Sequence, residues 1–160
     1  GGPGMVMKAE PIRKGWQRAG GRKRNQQRVK TLLMSPRGRQ FTNELARQYA
    51  TQYDHLVLIC GRYEGIDDRV RQALGAEEVS VGDYVLTGGE LPALTILDAT
   101  ARQVPGVLGE GESLEDARAT SGEAYTRPAV LQWKHHTLPV PEVFLSGDHA
   151  QIEARRTNRQ

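Results

Sequence analysis

A wholly apolar run, Leu56-Val57-Leu58-Ile59-Cys60, is the feature that most constrains the fold of this chain. A strand exposed on one face alternates apolar and polar residues, whereas a parallel strand covered by helices on both faces is apolar throughout. The glycine-bearing segment Gly61–Gly65 follows at once. Apolar residues then recur at helical spacing over residues 66–74, with Asp67 and Asp68 in the positive first turn. The succession predicts a buried strand, a loop and a helix.

The same succession occurs before and after this run. Val29–Met34 is typical of a strand, ends at the turn signal Ser35–Gly38, and precedes an amphipathic helix over residues 40–53. The aromatic and apolar residues of that helix are expected in the core: Phe41, Leu45, Tyr49 and Tyr53. A third strand, Glu78–Val81, leads through a Gly-Gly loop to a helix that begins at Pro92. Alternating strands and helices predict an α/β fold with a mostly parallel sheet and flanking helices.

Three loops leave the carboxyl ends of these predicted strands, namely Ser35–Gly38, Gly61–Gly65 and Gly82–Pro92. Ligands of parallel α/β sheets bind beyond the carboxyl ends of the strands. Glycines there free the backbone for turns and for close approach to a ligand. Each loop alone is equally compatible with an ordinary strand–helix connection. Their convergence at one edge favours a ligand site.

The charge of the chain is unevenly distributed. Residues 1–50 carry 12 Lys/Arg and 2 Asp/Glu, a balance of +10, while residues 51–160 carry 10 and 17, a balance of −7. The basic half includes the cluster Arg22-Lys23-Arg24 and a predicted helix over Pro11–Ala19. A basic surface indicates a polyanionic partner, of which nucleic acid is the first choice, with a merely solvated face as the alternative.

Several classes of protein are excluded. The chain has 38% hydrophobic and 26% charged residues, as expected of a globular protein, and no apolar stretch long enough to span a membrane. A single cysteine, Cys60, indicates a reducing, cytoplasmic setting. No phosphate-binding loop or dinucleotide fingerprint is present, and the four histidines lack metal-ligand spacing, so we expect no metal.

Beyond Gly109 the character changes. Residues 110–124 are largely acidic, bear Gly and Ser and lack periodicity, as in a flexible linker. Val140–Leu145 is predicted to be a further strand. Ser146–His149 is predicted to be a turn and cap for a closing helix over residues 149–157.

The motifs closely resemble those of the bacterial tRNA (guanine-N1)-methyltransferases, members of the knotted SPOUT methyltransferase superfamily. The long blocks that carry the resemblance are Cys60–Asp67, Val81–Ala93 and Val104–Gly109, and shorter blocks match in the same order: Gly1–Met5, Ser35–Gly38, Tyr125–Pro128 and Leu145–His149. The resemblance covers essentially the whole chain.

The resemblance implies a C-terminal trefoil knot, S-adenosyl-L-methionine as cofactor, tRNA as partner and a homodimer with active sites at the subunit interface. The implied reaction methylates N1 of the guanosine immediately 3′ of the anticodon. It also implies a knotted cofactor-binding domain over residues 1–109, a linker over 110–124 and the beginning of a helical tRNA-binding domain over 125–160. The family has further parts at both ends, so a fragment is expected.

The family pattern also assigns residues. Those expected to bind the cofactor are Ser35, Pro36, Gly61, Tyr63, Glu64, Val81, Gly82, Tyr84, Leu86, Gly88, Gly89 and Pro92. For Tyr84 and Leu86, the alternative is a strand side chain that points into the core. Those expected to bind the substrate are Gly2, Pro3, Gly4, Asp98 and Arg102.

Two residues are the expected catalytic groups. Glu115-Asp116 aligns with the aspartate of the family, which makes Asp116 the predicted base for the N1 proton, although Ala117-Arg118 stands where the family has Ser-Phe. Its alternative is a solvated acid. Arg102 matches an arginine that would stabilise negative charge on guanine O6, and its alternative is an intrahelical pair with Asp98. A non-catalytic RNA-binding module and a SPOUT enzyme acting on ribosomal RNA remain alternative functions.

Overall fold

The computed structural model describes residues 4–22, 27–107 and 123–157. The elements of the first part of the chain are α1 (Ala9–Arg18), β1 (Val29–Gln40), α2 (Asn43–Gln52), β2 (His55–Ile59), α3 (Arg69–Leu74), β3 (Glu77–Ser80) and α4 (Glu90–Ala101). They alternate as predicted. The α/β fold expected from the sequence is confirmed.

Three parallel strands form the sheet, in the order β2-β1-β3. Val29 of β1 lies opposite His55 of β2, and Leu32 lies opposite Glu77 of β3. Because β1 is central and both neighbours run parallel to it, the carboxyl ends of all three strands meet at one edge. Each connection crosses from one strand to the next through a helix.

Helices cover both faces of the sheet. On one face Leu32 and Met34 pack with residues of α2 and α4, among them Tyr49 and Ile96. On the other face Leu33 and Ile59 pack with α3, with α1 against this cluster. The alternation of Leu32, Leu33 and Met34 between the two clusters follows from the period of two in a strand. Because both faces of the sheet are covered, consecutive strand residues must be apolar, as the sequence indicated.

The aromatic residues that the sequence assigned to the core lie in α2 and immediately beside its two ends. Tyr49 is 2% exposed, and its ring centroid lies 6.4 Å from that of Phe41 and 6.3 Å from that of Tyr53. The helix begins after Thr42, whose hydroxyl accepts a hydrogen bond from the Leu45 N–H at 3.2 Å. The core assignment of these rings is confirmed.

The predicted turn at Ser35–Gly38 is wrong as the end of β1. The strand continues to Gln40, but its register against β3 slips, so that Met34 and Arg39 both lie opposite Val79. Four residues thus bulge out of the ladder before pairing resumes. Pro36 is tolerated there because a bulge requires no ladder hydrogen bond from its nitrogen.

Two helix starts also differ from prediction. Helix α3 begins at Arg69, after Asp68, so Asp67 lies outside its first turn. The Asp67 carboxylate instead accepts from the Arg69 N–H at 3.0 Å. Helix α4 begins at Glu90, two residues before Pro92. Proline fits because the first N–H groups of a helix have no intrahelical acceptor.

The chain divides into two compact units, Gly1–Gly109 and Glu110–Gln160. In the second, the described elements are β4 (Val130–Trp133), β5 (His136–Pro139), α5 (Glu142–Leu145) and α6 (His149–Thr157). Strands β4 and β5 form an antiparallel hairpin that the sequence did not predict. The strand predicted over Val140–Leu145 is wrong, because Pro141 precedes a helical turn that starts at Glu142.

The turn and cap predicted at Ser146–His149 are confirmed. The Asp148 carboxylate accepts from the N–H groups of Ala150 at 3.0 Å and Gln151 at 3.1 Å, at the start of α6. Tyr125 packs on Phe144 with ring centroids 5.1 Å apart. None of the described helices combines the length and apolar character needed to cross a membrane.

Candidate functional site

A cavity of about 290 Å³ opens at the edge of the sheet where the three parallel strands end. Its walls come from the bulge of β1, from the segment after β2 and from the segment between β3 and α4. These are the three segments that the sequence pointed to as a ligand site. The arrangement places free main-chain groups and apolar side chains around one volume.

All twelve residues that the family pattern assigned to the cofactor line this cavity. Further lining residues were not predicted: Met34, Arg62, Gly65, Val79, Ser80, Val85 and Thr87. Arg62 and Gly65 belong to the predicted loop Gly61–Gly65, and that position could have identified them as lining residues. For Met34 the signal was its place at the carboxyl end of the first strand.

Two of the loops touch through their backbones. The Gly89 N–H donates to the Gly61 carbonyl at 2.9 Å, and Arg62 and Gly88 form an isolated β-bridge. A Cβ at Gly89 would lie 2.7 Å from Cys60 Cα and 2.8 Å from Gly61 N. Only glycine allows this approach. Gly89 therefore allows the segment before α4 to pack against the segment after β2 at the cavity wall.

An ion pair crosses the same junction. Arg62 Nε donates to the Glu90 carboxylate at 2.9 Å, with both side chains about half exposed. The pKa of Glu90 lies below its ordinary value because its own backbone N–H and Arg62 donate to the carboxylate. Burial, followed by the nearby charge of Glu90, raises the pKa of the Cys60 thiol. A raised pKa favours the neutral thiol, and Cys60 packs against the core cluster that contains Leu32 and Tyr49.

The aromatic and apolar side chains of the loops are exposed rather than buried in the core. Tyr63 is 68% exposed, Tyr84 56% and Leu86 40%. The alternative in which Tyr84 and Leu86 point into the core is wrong. The Tyr63 backbone has a φ of 61°, in the left-handed region that disfavours a side chain with a Cβ.

The segment of residues 4–7 pairs with the loop after β2. The Glu64 N–H donates to the Met5 carbonyl at 3.0 Å, and the Met7 N–H donates to the Gly65 carbonyl at 2.9 Å. Gly4 has a φ of 110°, and a Cβ there would overlap the Glu64 side chain. Gly4 therefore lies against a residue of the cavity wall.

Of the predicted substrate and catalytic residues that the structure describes, Gly4 lies against the cavity wall, whereas Asp98 and Arg102 do not line the cavity. Asp98 is exposed on α4, and Arg102 follows the last turn of that helix. Arg102 is ten residues beyond Pro92, which is about 15 Å along a helix axis. Within the part of the chain that the structure describes, no ion pair joins Arg102 to Asp98, so the intrahelical pairing is wrong. Asp116, Gly2 and Pro3 lie outside the described residues.

Among residues 4–22, 27–107 and 123–157, no three His, Cys, Asp or Glu side chains cluster in a way that could hold an ion. The cavity is lined by backbone groups, by apolar side chains and by polar side chains that include Arg62 and Glu64.

Comparisons with known proteins agree with each other. A family model described as tRNA (Guanine-1)-methyltransferase TrmD matches residues 1–160. Proteins named tRNA (guanine-N(1)-)-methyltransferase are 47% identical in Carboxydothermus hydrogenoformans, 48% in Moorella thermoacetica and 49% in Thermomicrobium roseum. These alignments cover 98%, 100% and 95% of this chain, and 59%, 62% and 55% of the relatives. The chain spans about 60% of the length of the curated relatives it matches.

Proposed function

Because the chain belongs to the tRNA (guanine-1)-methyltransferase family, we propose that it methylates N1 of the guanosine immediately 3′ of the anticodon in tRNA. S-adenosyl-L-methionine is the proposed methyl donor. The observation that carries the proposal is the single cavity formed by three glycine-bearing segments at the carboxyl edge of the sheet, lined by all twelve residues expected at the donor.

The chemistry of the cavity wall suits such a donor. Small-molecule sites are concave, mostly apolar and have a few fixed polar groups. Val81, Leu86 and Pro92 supply apolar wall, while Gly61, Gly88 and Gly89 line the cavity without side chains, which lets a ligand approach the backbone there. Both features suit an adenosyl group held by main-chain hydrogen bonds and apolar contacts. The sulfonium of the bound donor supplies an already activated methyl group, so no further methyl-activating cofactor is needed.

The protein must then orient the acceptor and remove its N1 proton. We assign the removal of this proton to the carboxylate of Asp116, in the proposed linker of residues 110–124. An exposed aspartate has a pKa of about 3.9, too low for an efficient base at neutral pH. Burial of the carboxylate beside the guanine would raise that pKa. We assign to Arg102 the stabilisation of negative charge on guanine O6, and to Gly2, Pro3, Gly4 and Asp98 contacts with the substrate.

The position of Arg102 supports a homodimer. The backbone of Arg102 lies about 15 Å along α4 from Pro92 in the cavity wall, and Arg102 does not line the cavity of its own chain. The exposed apolar side chains of α4 support a partner on that helix: Leu91 is 62% exposed, Leu94 59% and Leu97 49%. We propose that a second copy packs there and that each site combines the cavity of one chain with Arg102 of the other.

The remaining expectations belong to the same proposal. Residues 1–109 form the donor-binding domain with its trefoil knot, and residues 125–160 begin a domain that binds tRNA. A tRNA substrate and a single cysteine suit a cytoplasmic protein.

Labelled S-adenosyl-L-methionine and tRNA transcripts test the function. We expect transfer to a transcript with guanosine 3′ of the anticodon and none to a transcript with adenosine there. Asp116→Ala should abolish transfer while donor affinity, measured by calorimetry, is kept. Transfer to the adenosine transcript, or to ribosomal RNA alone, would refute the proposed specificity. Absence of donor binding would favour a non-catalytic RNA-binding module.

A further inference from the structure

The β4–β5 hairpin is exposed on both faces. Every residue of both strands is exposed, including Val130 at 43%, Leu131 at 52%, Trp133 at 61% and Leu138 at 51%. A two-stranded hairpin alone is marginally stable in water. Four large apolar side chains on such a small element indicate a surface that a partner covers.

The charge around the hairpin identifies the kind of partner. Between Glu123 and Glu142 the sequence contains no acidic residue, but it contains Arg127, Lys134 and two histidines. This cationic stretch lies in the part of the chain, residues 51–160, whose formal balance is −7. A local positive patch in an acidic segment complements a polyanion rather than an apolar protein face.

The tip of the hairpin combines an aromatic ring with a cation. Trp133 and His136 are the last paired residues, and Lys134 begins the turn between them with a φ of 55°. The indole is mostly exposed. Exposed aromatic rings stack on unpaired bases, and adjacent lysines contact the phosphates between those bases.

We infer that the hairpin tip, defined as Trp133 and Lys134, is an RNA-contacting element. The indole stacks on a base that is not paired in the RNA, and the Lys134 ammonium contacts a neighbouring phosphate. The inference rests on the proposed function, in which the RNA is tRNA. It adds the side chains by which the second unit grips that RNA.

Fluorescence tests the stacking directly. The chain has two tryptophans, and Trp16 is partly buried with its Nε1 donating to Thr31 Oγ1 at 2.9 Å. Trp16→Phe therefore leaves Trp133 as the only indole. Acrylamide should quench that indole efficiently in the free protein, and tRNA transcript should protect it. An indole equally accessible with and without saturating tRNA would overturn the inference.

Affinity measurements separate the two side chains. Stacking of one base is worth about 1–3 kcal/mol, so Trp133→Ala should raise the Kd for tRNA roughly 5- to 150-fold, whereas Trp133→Tyr should keep most of the affinity. Lys134→Ala should reduce the salt dependence of binding by about one counterion. Arg69→Ala, which removes an exposed cation of α3 that is already paired with Asp67, is the matched control and should leave that slope unchanged.

The outcomes distinguish the inference from the proposed function. If methyl transfer occurs but Trp133→Ala binds tRNA normally, the inference is wrong and the function stands. If transfer to the target guanosine is absent but both variants weaken RNA binding, the function is wrong and the inference stands. A shift of the sedimentation coefficient on Trp133→Ala, with unchanged RNA affinity, would assign the hairpin to self-association and contradict the inference.

Discussion

Gly89 is the residue at which the cavity tolerates least change. Its absent Cβ would meet backbone atoms of Cys60 and Gly61, which cannot rotate away as a side chain can. Overpacking of this kind costs about 1–3 kcal/mol. We expect Gly89→Ala to lower the unfolding temperature and to raise the Kd for S-adenosyl-L-methionine at least about tenfold. Calorimetry and thermal unfolding measure the two effects.

Gly15→Ala provides the matched control for that substitution. Gly15 lies in α1, where no atom stands within 4 Å of the position of a Cβ. Alanine there should stabilise the helix by about 0.5–1 kcal/mol, since glycine is the poorer helix former. Donor affinity should not change. If Gly89→Ala bound the donor as wild type does, the close approach of the two loops would have no role in binding.

Helix α6 depends on Asp148 for its start. The carboxylate accepts from two backbone N–H groups that have no partner inside the helix. We expect Asp148→Ala to destabilise the second unit by about 1 kcal/mol. Hydrogen exchange of the α6 amides would detect the loss. Asp148→Asn, which keeps an acceptor, should be close to wild type; equal loss in both variants would contradict a capping role.

The beginnings of β1 and β2 are tied by Arg28 and Asp54. Arg28 donates to the Asp54 carboxylate from its backbone N–H at 2.8 Å and from its guanidinium. These hydrogen bonds lower the pKa of Asp54 to about 2. A lowered pKa in the folded protein means that the stabilisation is present above the ordinary aspartate pKa and is lost as pH falls toward 2.

We therefore expect Asp54→Asn to be less stable than wild type at pH 6 and to approach wild type near pH 2.5. Urea unfolding at a series of pH values measures this difference. The pair is exposed, so the effect should shrink in high salt. A difference between the two proteins that does not change with pH would exclude ionisation of Asp54 as its cause.

The sequence specified the buried elements of the fold better than the irregular ones. The apolar run at 56–60 and the spacing of aromatic residues in and beside α2 are each compatible with only one environment, burial between the layers of the fold. Ser35–Gly38 has turn residues, but pairing resumes beyond it because Arg39 and Gln40 regain the ladder with β3. The six residues from Val140 are too few for periodicity to separate a strand from a helical turn.

The candidate site was likewise predictable where it depends on local backbone. Glycine loops after parallel strands must meet at one edge of a sheet, and the twelve predicted residues do line one cavity. The Arg62–Glu90 pair was not predicted, because the two residues are distant in sequence and only the contact of their loops brings them together. The separation of Arg102 from the cavity was not predicted either, because it depends on where α4 begins and ends.

On the scale of the whole molecule, that separation makes the proposed active site incomplete in one chain. A cavity variant and an Arg102 variant would then damage different halves of each site. In a mixed dimer one site carries both defects and the other carries neither. Since random pairing yields mixed dimers in half of the population, about a quarter of all sites should be intact.

We therefore expect two poorly active variants, Gly89→Ala and Arg102→Ala, to recover about a quarter of wild-type transfer when unfolded together and refolded as a mixture. The assay uses a donor concentration below the raised Kd of Gly89→Ala. Adding Leu94→Glu to both chains places a charge on the exposed apolar face of α4 and should abolish the recovery. If the mixture shows only the average of the two separate activities while both variants are dimeric, each chain must complete its own site.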